Sequence, residues 1–163
     1  MLTSLLLAML LAAQPTPESS AYTLATCDDP SAREAMLAAG PDGFPIFRAV
    51  KDASRANDAR MTRLLDRLTE RARLTPDQRA GVAISMVEDT RFKAAFRQGA
   101  TLLEKVMTTI MTMTGKDARA DCRAVIAMSG DLPAIEANAQ QQWDAIRRVL
   151  EDEAKRRGVS LAD

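Results

Sequence analysis

The chain has 163 residues, and its 22 basic residues are balanced by 22 acidic ones. This balance excludes the strongly basic surface of a general nucleic-acid-binding protein, so we expect no nucleic acid among its partners. The chain contains no histidine, which excludes Ser-His-Asp and Cys-His catalysis and every zinc site that uses imidazole. Hydrophobic residues make up 47% of the chain and aromatic residues only 4%, a composition that favours packed helices over a sheet.

An unbroken apolar run, Leu5 to Ala13, lies near the N-terminus. It is too short to cross a bilayer, which takes about 20 residues, and it has the length of a signal-peptide core. Two prolines follow, and then Ser19 and Ala21 provide the small residues of a cleavage site. We therefore predict a signal peptide at 1–21, a periplasmic or secreted mature chain, and no membrane insertion after cleavage. No Lys or Arg precedes the run, and an uncleaved anchor or a packed terminal helix is the alternative.

The chain has two cysteines, and the first lies in the stretch LATCDDP. A lipid anchor would need a small residue in place of Thr26 and a hydrophobic run directly before the motif. A reactive thiolate at Cys27 would need a cationic neighbour, whereas Asp28 and Asp29 are anionic. Two cysteines without histidine provide too few ligands for a metal site. In an oxidising compartment, the remaining role is a single disulfide between Cys27 and Cys122.

After the leader, we predict an N-terminal arm at 22–30, a single helical domain at 31–158 and a C-terminal tail at 159–163. Asp29 is placed to cap a short helix that stops at Gly40, and the stretch GPDGFP that follows is typical of a turn. No segment alternates polar and apolar residues for long enough to predict a strand.

Pro45 begins a long predicted helix. Its apolar residues recur at spacings of three and four with one polar break at Asn57, while Arg and Asp fill the other face. This pattern is typical of an amphipathic helix that buries one side. The stripe consists of Ile46, Val50, Ala53, Asn57, Met61, Leu64, Leu65 and Leu68.

The stretch LTPDQ has the pattern of a helix start. Thr75 is the expected N-cap, Pro76 takes the first helical position, and Gln78 can complete a capping box. The segment 76–114 is one helix or two, with the break expected at MVEDT and Asp89 as the cap of the second. The apolar side of that second helix carries Phe92, Phe96, Gly99, Leu103, Val106, Met107, Ile110 and Met113.

Two more helices complete the pattern. One covers 117–129 with Cys122 on its apolar side, and the other starts at an Asp131 cap and stops at Gly158. Trp143 lies on a regular apolar stripe of the last helix, which predicts a core position. The chain as a whole predicts an all-α bundle of five to six helices with one disulfide.

The motif LTPDQ, together with export, small size and long helices rich in Arg and Met, resembles the LTxxQ family of small periplasmic helical proteins, the envelope-stress chaperones. The resemblance covers one copy of the motif, Leu74 to Gln78, whereas the family typically has two copies and generally lacks an internal disulfide. It implies a non-enzymatic protein that binds other proteins or unfolded chains. Thr75, Pro76 and Gln78 have a structural role in this interpretation.

Two alternatives stay open, a metal-handling protein and an enzyme whose site the sequence does not reveal. Met107, Met111 and Met113 offer thioethers that can bind Cu(I) in an exported protein, although gap-filling in a helical core is the simpler interpretation. No hydrolase, nucleotide-binding or metallopeptidase motif is present. We therefore expect no catalytic residue, metal or cofactor, and an exported helical protein that interacts with another protein.

Overall fold

The structure is a computed structural model that describes residues 22–162. The signal peptide expected at 1–21 lies outside the described residues. Within them the chain is helical and contains no strand, so the prediction of an all-α protein is confirmed. The helices are α1 (Leu24–Asp28), α2 (Pro30–Ala38), α3 (Gly40–Gly43), α4 (Pro45–Ala72), α5 (Pro76–Glu88), α6 (Thr90–Thr112), α7 (Ala118–Met128) and α8 (Leu132–Arg156), with a 3-10 turn at Ser129–Asp131.

Carboxylate side chains cap the starts of three of these helices, α2, α6 and α7, the last through Asp117. Asp29 Oδ1 accepts the backbone N–H of Ser31 at 2.9 Å at the start of α2, and Asp89 Oδ1 accepts that of Arg91 at 2.9 Å at the start of α6. Each cap satisfies a backbone donor that has no partner inside its helix. The segment 76–114 therefore forms two helices, and the break lies at MVEDT.

Thr75 and Gln78 form the capping box that LTPDQ predicts. The Gln78 backbone N–H donates to Thr75 Oγ1 at 3.3 Å, and the Thr75 backbone N–H donates to Gln78 Oε1 at 3.0 Å. Pro76 occupies the first turn of α5, where a missing N–H leaves no hydrogen bond unmade. Arg73, just after α4, adopts the left-handed conformation with φ 51°, which ends the helix. Because α5 already begins at Pro76, the hairpin between α4 and α5 is short.

Two segments expected to be irregular are helical. The N-terminal arm contains α1, and the GPDGFP turn contains α3. At the start of α1, the Thr23 backbone N–H donates to Thr26 Oγ1 at 3.1 Å, a capping contact that hydrophobic periodicity does not reveal. The structure accordingly has more helices than the five to six expected, because single-turn elements carry too few residues to show a period.

The expected cap of the last helix is wrong. Asp131 makes no side-chain cap hydrogen bond, and its carboxylate instead accepts from Lys105 Nζ of α6 at 2.8 Å. The 3-10 turn runs directly into α8, so Asp131 already has helical backbone angles of φ −86° and ψ −4°. An N-cap side chain needs extended angles to reach back to the first free N–H groups.

The buried residues form two clusters along α8. The disulfide cluster surrounds the first turn of α8 and consists of Cys27, Met36, Phe44, Ile46, Val106, Cys122, Val125, Met128 and Ile135. The hairpin cluster surrounds its second half and consists of Leu65, Leu68, Leu74, Val82, Met86, Ile146, Leu150 and Ala154. Since α4 and α8 enter both clusters in the same order, they run in the same direction, and both α4 and α6 pack on α8.

Candidate functional site

Cys27 and Cys122 form the disulfide bond that the sequence predicts, with their Cα atoms 5.6 Å apart. The bond joins α1 to α7, and both side chains are fully buried. Arg33 of α2 adds a hydrogen bond from Nη1 to the Cys27 carbonyl at 2.9 Å. Because neither sulfur is exposed to solvent, the geometry is that of a structural link between helices rather than of a reactive thiol pair.

Asp28 makes an ion pair over the disulfide on the protein surface. Arg119 Nε donates to its carboxylate at 3.0 Å, and the Nη2 group of the same guanidinium donates as well. This hydrogen-bonded guanidinium, with smaller contributions from the positive charges of Arg123 and Arg33, holds the pKa of Asp28 below its ordinary value of 3.8. The pair therefore ties α1 to α7 a second time.

The methionines of MTTIMTM do not share one surface. Met111 is 81% exposed on α6 and Met107 is 43% exposed, whereas Met113 packs against the disulfide cluster. Met113 therefore lies apart from the exposed Met107 and Met111. In the part of the chain that the structure describes, no group of three or more His, Cys, Asp or Glu residues could hold a metal ion.

Trp143 is half-buried at the edge of the hairpin cluster. The guanidinium carbon of Arg60 lies 5.7 Å from the centroid of the indole ring, within the range of a cation–π interaction. The predicted position on the apolar stripe of α8 is correct, and the ring packs against the hairpin cluster from its edge, half-buried. The guanidinium of Arg60 on α4 covers part of the indole ring. Because this charged group stays in contact with water, the ring is not enclosed by apolar side chains.

A groove with a volume of about 580 Å³ lies between the two clusters. Its floor is the middle of α8, one wall is α4, and the opposite wall is α5 and α6. The two walls each pack on α8 and leave the space above it unfilled. The volume falls in the range of ~300–1,000 Å³ that is usual for ligand-binding pockets.

The groove is apolar from its floor to one of its rims. Ile135 and Ile146 of α8 are buried at the floor, Phe92 of α6 is half-buried in the wall, and Phe96 is 60% exposed at the rim. Phe92 and Phe96 stack with their ring centroids 6.1 Å apart. An apolar occupant would therefore contact hydrophobic side chains from the floor of the groove up to this rim.

Three carboxamide side chains cross the floor and tie the walls together. Asn57 Nδ2 of α4 donates to the Ala139 carbonyl of α8 at 2.9 Å, and Asn138 Nδ2 of α8 donates to the Ala95 carbonyl of α6 at 2.7 Å. Gln142 Nε2 donates to Asn138 Oδ1 at 2.8 Å. These hydrogen bonds fix both walls to the floor, so the groove is preorganised before any ligand enters.

Gly99 allows α6 to approach α8 next to this network. A Cβ atom at position 99 would lie 2.5 Å from Asn138 Oδ1 and 3.2 Å from Gln142 Nε2. Asn138 is only 4% exposed, so its amide has little room to move aside. The absence of a side chain at Gly99 is therefore what lets the amide network sit between the two helices.

The two rims of the groove differ in polarity. The exposed lining residues of α4 are Ser54 and Asp58, whereas those of α5 and α6 include Val87, Phe96 and Leu103. Asp58 is the one charged residue in the described lining. The groove therefore has an acidic, polar rim facing an apolar one.

The apolar rim continues beyond the groove as an exposed stripe on α6. Phe96, Ala100, Leu103 and Met107 are all exposed and follow one another at spacings of four, three and four, the spacing by which helices pack against each other. The sequence predicts a single apolar face for α6. In the structure Val106 of that face is buried, whereas Phe96, Leu103 and Met107 are exposed.

The chain matches no protein-family model, no curated protein and no solved structure. No helix within residues 22–162 is long and apolar enough to span a membrane.

Proposed function

We propose that this protein is an exported, non-enzymatic helical bundle that binds apolar segments of other polypeptides in the groove between α4, α8 and α6. The observation that carries the proposal is the apolar groove of about 580 Å³ whose rim extends into an exposed apolar stripe on α6. Contiguous exposed apolar surface rimmed by polar residues is typical of protein interaction sites. The resemblance of LTPDQ to the LTxxQ chaperones supports the same function.

The shape of the groove suits a stretch of polypeptide. Along α4 its lining runs from Val50 to Leu65, about 22 Å at a rise of 1.5 Å per residue, or roughly four helical turns. The α6 stripe adds the spacing that complements the side chains of another helix. A groove of this length can therefore accept several apolar side chains of one amphipathic segment at once.

The chemistry of the lining supports binding rather than catalysis. Among the described residues, its polar groups are Ser54, Asp58 and three carboxamides. A nucleophile needs a base within hydrogen-bonding distance, and Ser54 makes no such hydrogen bond to a described residue.

We place the mature protein in the periplasm or the medium, because a buried disulfide is typical of proteins in oxidising compartments.

The test is binding of a fluorescein-labelled amphipathic peptide of about four helical turns, with leucines on one face and serines on the other. Phe96→Ser removes a lining residue from the apolar rim, and Ile84→Ser is its control, because Ile84 of α5 is also 60% exposed but lies outside the lining. We expect Phe96→Ser to weaken binding about tenfold, since it removes roughly the burial of one large apolar side chain.

Fluorescence anisotropy of the peptide measures this difference, and far-UV circular dichroism checks that each variant is folded. Ile84→Ser should bind like the wild type. Equal weakening by both substitutions would mean that the peptide binds the general surface of the protein and not the groove.

A further inference from the structure

Four side chains of the groove carry oxygen atoms that accept no hydrogen bond from the described residues. Asn57 donates one amide N–H to the Ala139 carbonyl of α8, and Gln142 donates one to Asn138 within α8. The carboxamide oxygens of Asn57 and Gln142 accept no hydrogen bond from the described part of the chain. Asp58 forms no ion pair or hydrogen bond with any described residue, and neither does the hydroxyl of Ser54. All four side chains belong to the lining.

These four residues lie together on one side of the groove. Ser54, Asn57 and Asp58 occupy adjacent turns of α4, and Asn57 is hydrogen-bonded to the carbonyl of Ala139. Gln142 follows Ala139 by three residues on α8, which places it about one turn away. We call Ser54, Asn57, Asp58 and Gln142 the acceptor patch. No lysine or arginine is among the described residues that line the groove, so no described lining residue neutralises the charge of Asp58.

We infer that the groove selects amphipathic polypeptide segments that carry a lysine or arginine beside their apolar residues, with the cation bound at the acceptor patch. This inference rests on the proposed function and names the class of segment that the groove accepts. The apolar side chains of the segment contact Phe96 and Leu103, while the cation reaches Asp58 on the opposite rim.

Charge and hydrogen-bonding capacity both favour a cationic segment. A lysine ammonium offers three donors and an arginine guanidinium five, whereas the acceptor patch offers oxygen atoms that lack donors. The aliphatic stems of both residues can also lie along an apolar wall while the charge stays at the rim. A neutral hydrocarbon would leave the acceptors unpaired, and a carboxylate would be repelled by Asp58.

The test uses three versions of the labelled peptide that differ only at one central position, which is lysine, glutamine or glutamate. At low ionic strength, we expect the lysine peptide to bind about threefold more tightly than the glutamine peptide, and the glutamate peptide to bind most weakly. The difference should shrink as salt is raised, because exposed charges are screened over about 10 Å at 0.1 M.

Asp58→Asn keeps the size of the side chain and removes its charge. We expect it to abolish the preference for lysine over glutamine. Asp52→Asn is the matched control, since Asp52 is an exposed carboxylate of α4 that does not line the groove, and it should keep the preference.

The outcomes separate the two proposals. If all three peptides bind equally well and Phe96→Ser weakens all of them, the polypeptide site stands and selection by charge is overturned. If no peptide binds the wild-type protein, the proposed function fails together with the inference. An unchanged lysine preference in Asp58→Asn, with the helical signal intact, would also overturn the assignment of the cation to the acceptor patch.

Discussion

The disulfide cluster and the hairpin cluster hold their helices together in different ways. In the disulfide cluster the elements are short: α1 has five residues and α3 has four, and isolated helices of that length are not stable in water. A covalent bond and the pair between Asp28 and Arg119 hold α1 in place against α7. The hairpin cluster is built from the ends of long helices, which bury enough apolar surface to pack without a crosslink.

The C-terminal tail belongs to the hairpin cluster. Val159 and Leu161 pack against it, and Arg71 Nη1 donates to the carbonyls of Ser160 and Ala162, each at 2.7 Å. The tail predicted at 159–163 is thus packed against α4 in its described part. The comparison indicates that a crosslink supports the cluster at one end of α8 and that packing without a crosslink supports the cluster at the other end, with the groove between them.

The largest expected effect comes from breaking the disulfide. Cys122→Ser should lower the free energy of unfolding by about 4 to 5 kcal/mol in the chain-entropy model, because the bond closes a sequence separation of 95 residues. Cys27→Ser should cost a similar amount, and the double substitution little more than either one. Denaturant unfolding of the oxidised and reduced proteins measures the loss.

Hydrogen exchange of the reduced protein shows which helices lose stability when the disulfide is broken. We expect faster exchange in α1, α2 and α7 and nearly unchanged exchange in α5, since subglobal opening follows the local packing. Equal loss of protection in α5 would contradict the difference between the two clusters and indicate a single cooperative core.

In the hairpin cluster the corresponding test removes packing instead of a crosslink. Leu68 is fully buried, so Leu68→Ala should destabilise the protein by about 3 kcal/mol through lost transfer energy and the cavity left behind. Ile84→Ala is the control on an exposed side chain and should change stability by about 0.5 kcal/mol or less. A loss at Leu68 no larger than that at Ile84 would mean that this cluster is loosely packed.

The sequence predicts the ends of the helices better than it predicts the groove. The caps at Asp29, Thr75 and Asp89 are local signals, because a side-chain oxygen and the N–H groups that it satisfies are only two or three residues apart. The disulfide follows from composition, since only two cysteines are present. The caps depend on neighbouring residues and the disulfide depends on the number of cysteines, and the structure contains all of these features.

The groove depends instead on how α4 and α6 lie on α8, which no local signal specifies. One trace of it is visible in the sequence, the polar break at Asn57 in the apolar stripe of α4. Asn138 and Gln142 lie beside the apolar stripe of α8, between Ile135 and Ile146. Polar residues on or beside the apolar stripes of two helices therefore mark where hydrogen bonds join the helices at the floor of the groove, but which helices meet there requires the structure.

The capping box tests how much the hairpin cluster depends on local hydrogen bonds. Thr75→Ala removes the oxygen that accepts the Gln78 N–H, and we expect a loss of about 1 kcal/mol, the usual cost of an N-cap. Thr62→Ala, at an exposed position inside α4, is the control and should be neutral or slightly stabilising because alanine favours the helix. Thermal unfolding compares the two. A loss as large as that of Leu68→Ala would make the cap, rather than packing, the main support of α5.

The smallest effect is expected at Asp28, and it should depend on pH. Arg119 holds the pKa of this carboxyl below 3.8 in the folded protein, so the folded state favours the charged form, and the stabilising contribution is present at neutral pH and is lost as the pH falls below that value.

Asp28→Asn should therefore lower the thermal midpoint slightly at pH 7, and the midpoints of variant and wild type should approach each other at acid pH, as the wild-type carboxyl becomes protonated. Asp52→Asn, which removes an exposed carboxylate of α4, should leave the midpoint unchanged at both pH values. If the difference in thermal midpoint between Asp28→Asn and the wild type persisted at low pH, the Asp28 side chain would support the disulfide cluster through its shape. The charge of the pair with Arg119 would then contribute nothing to holding α1 against α7.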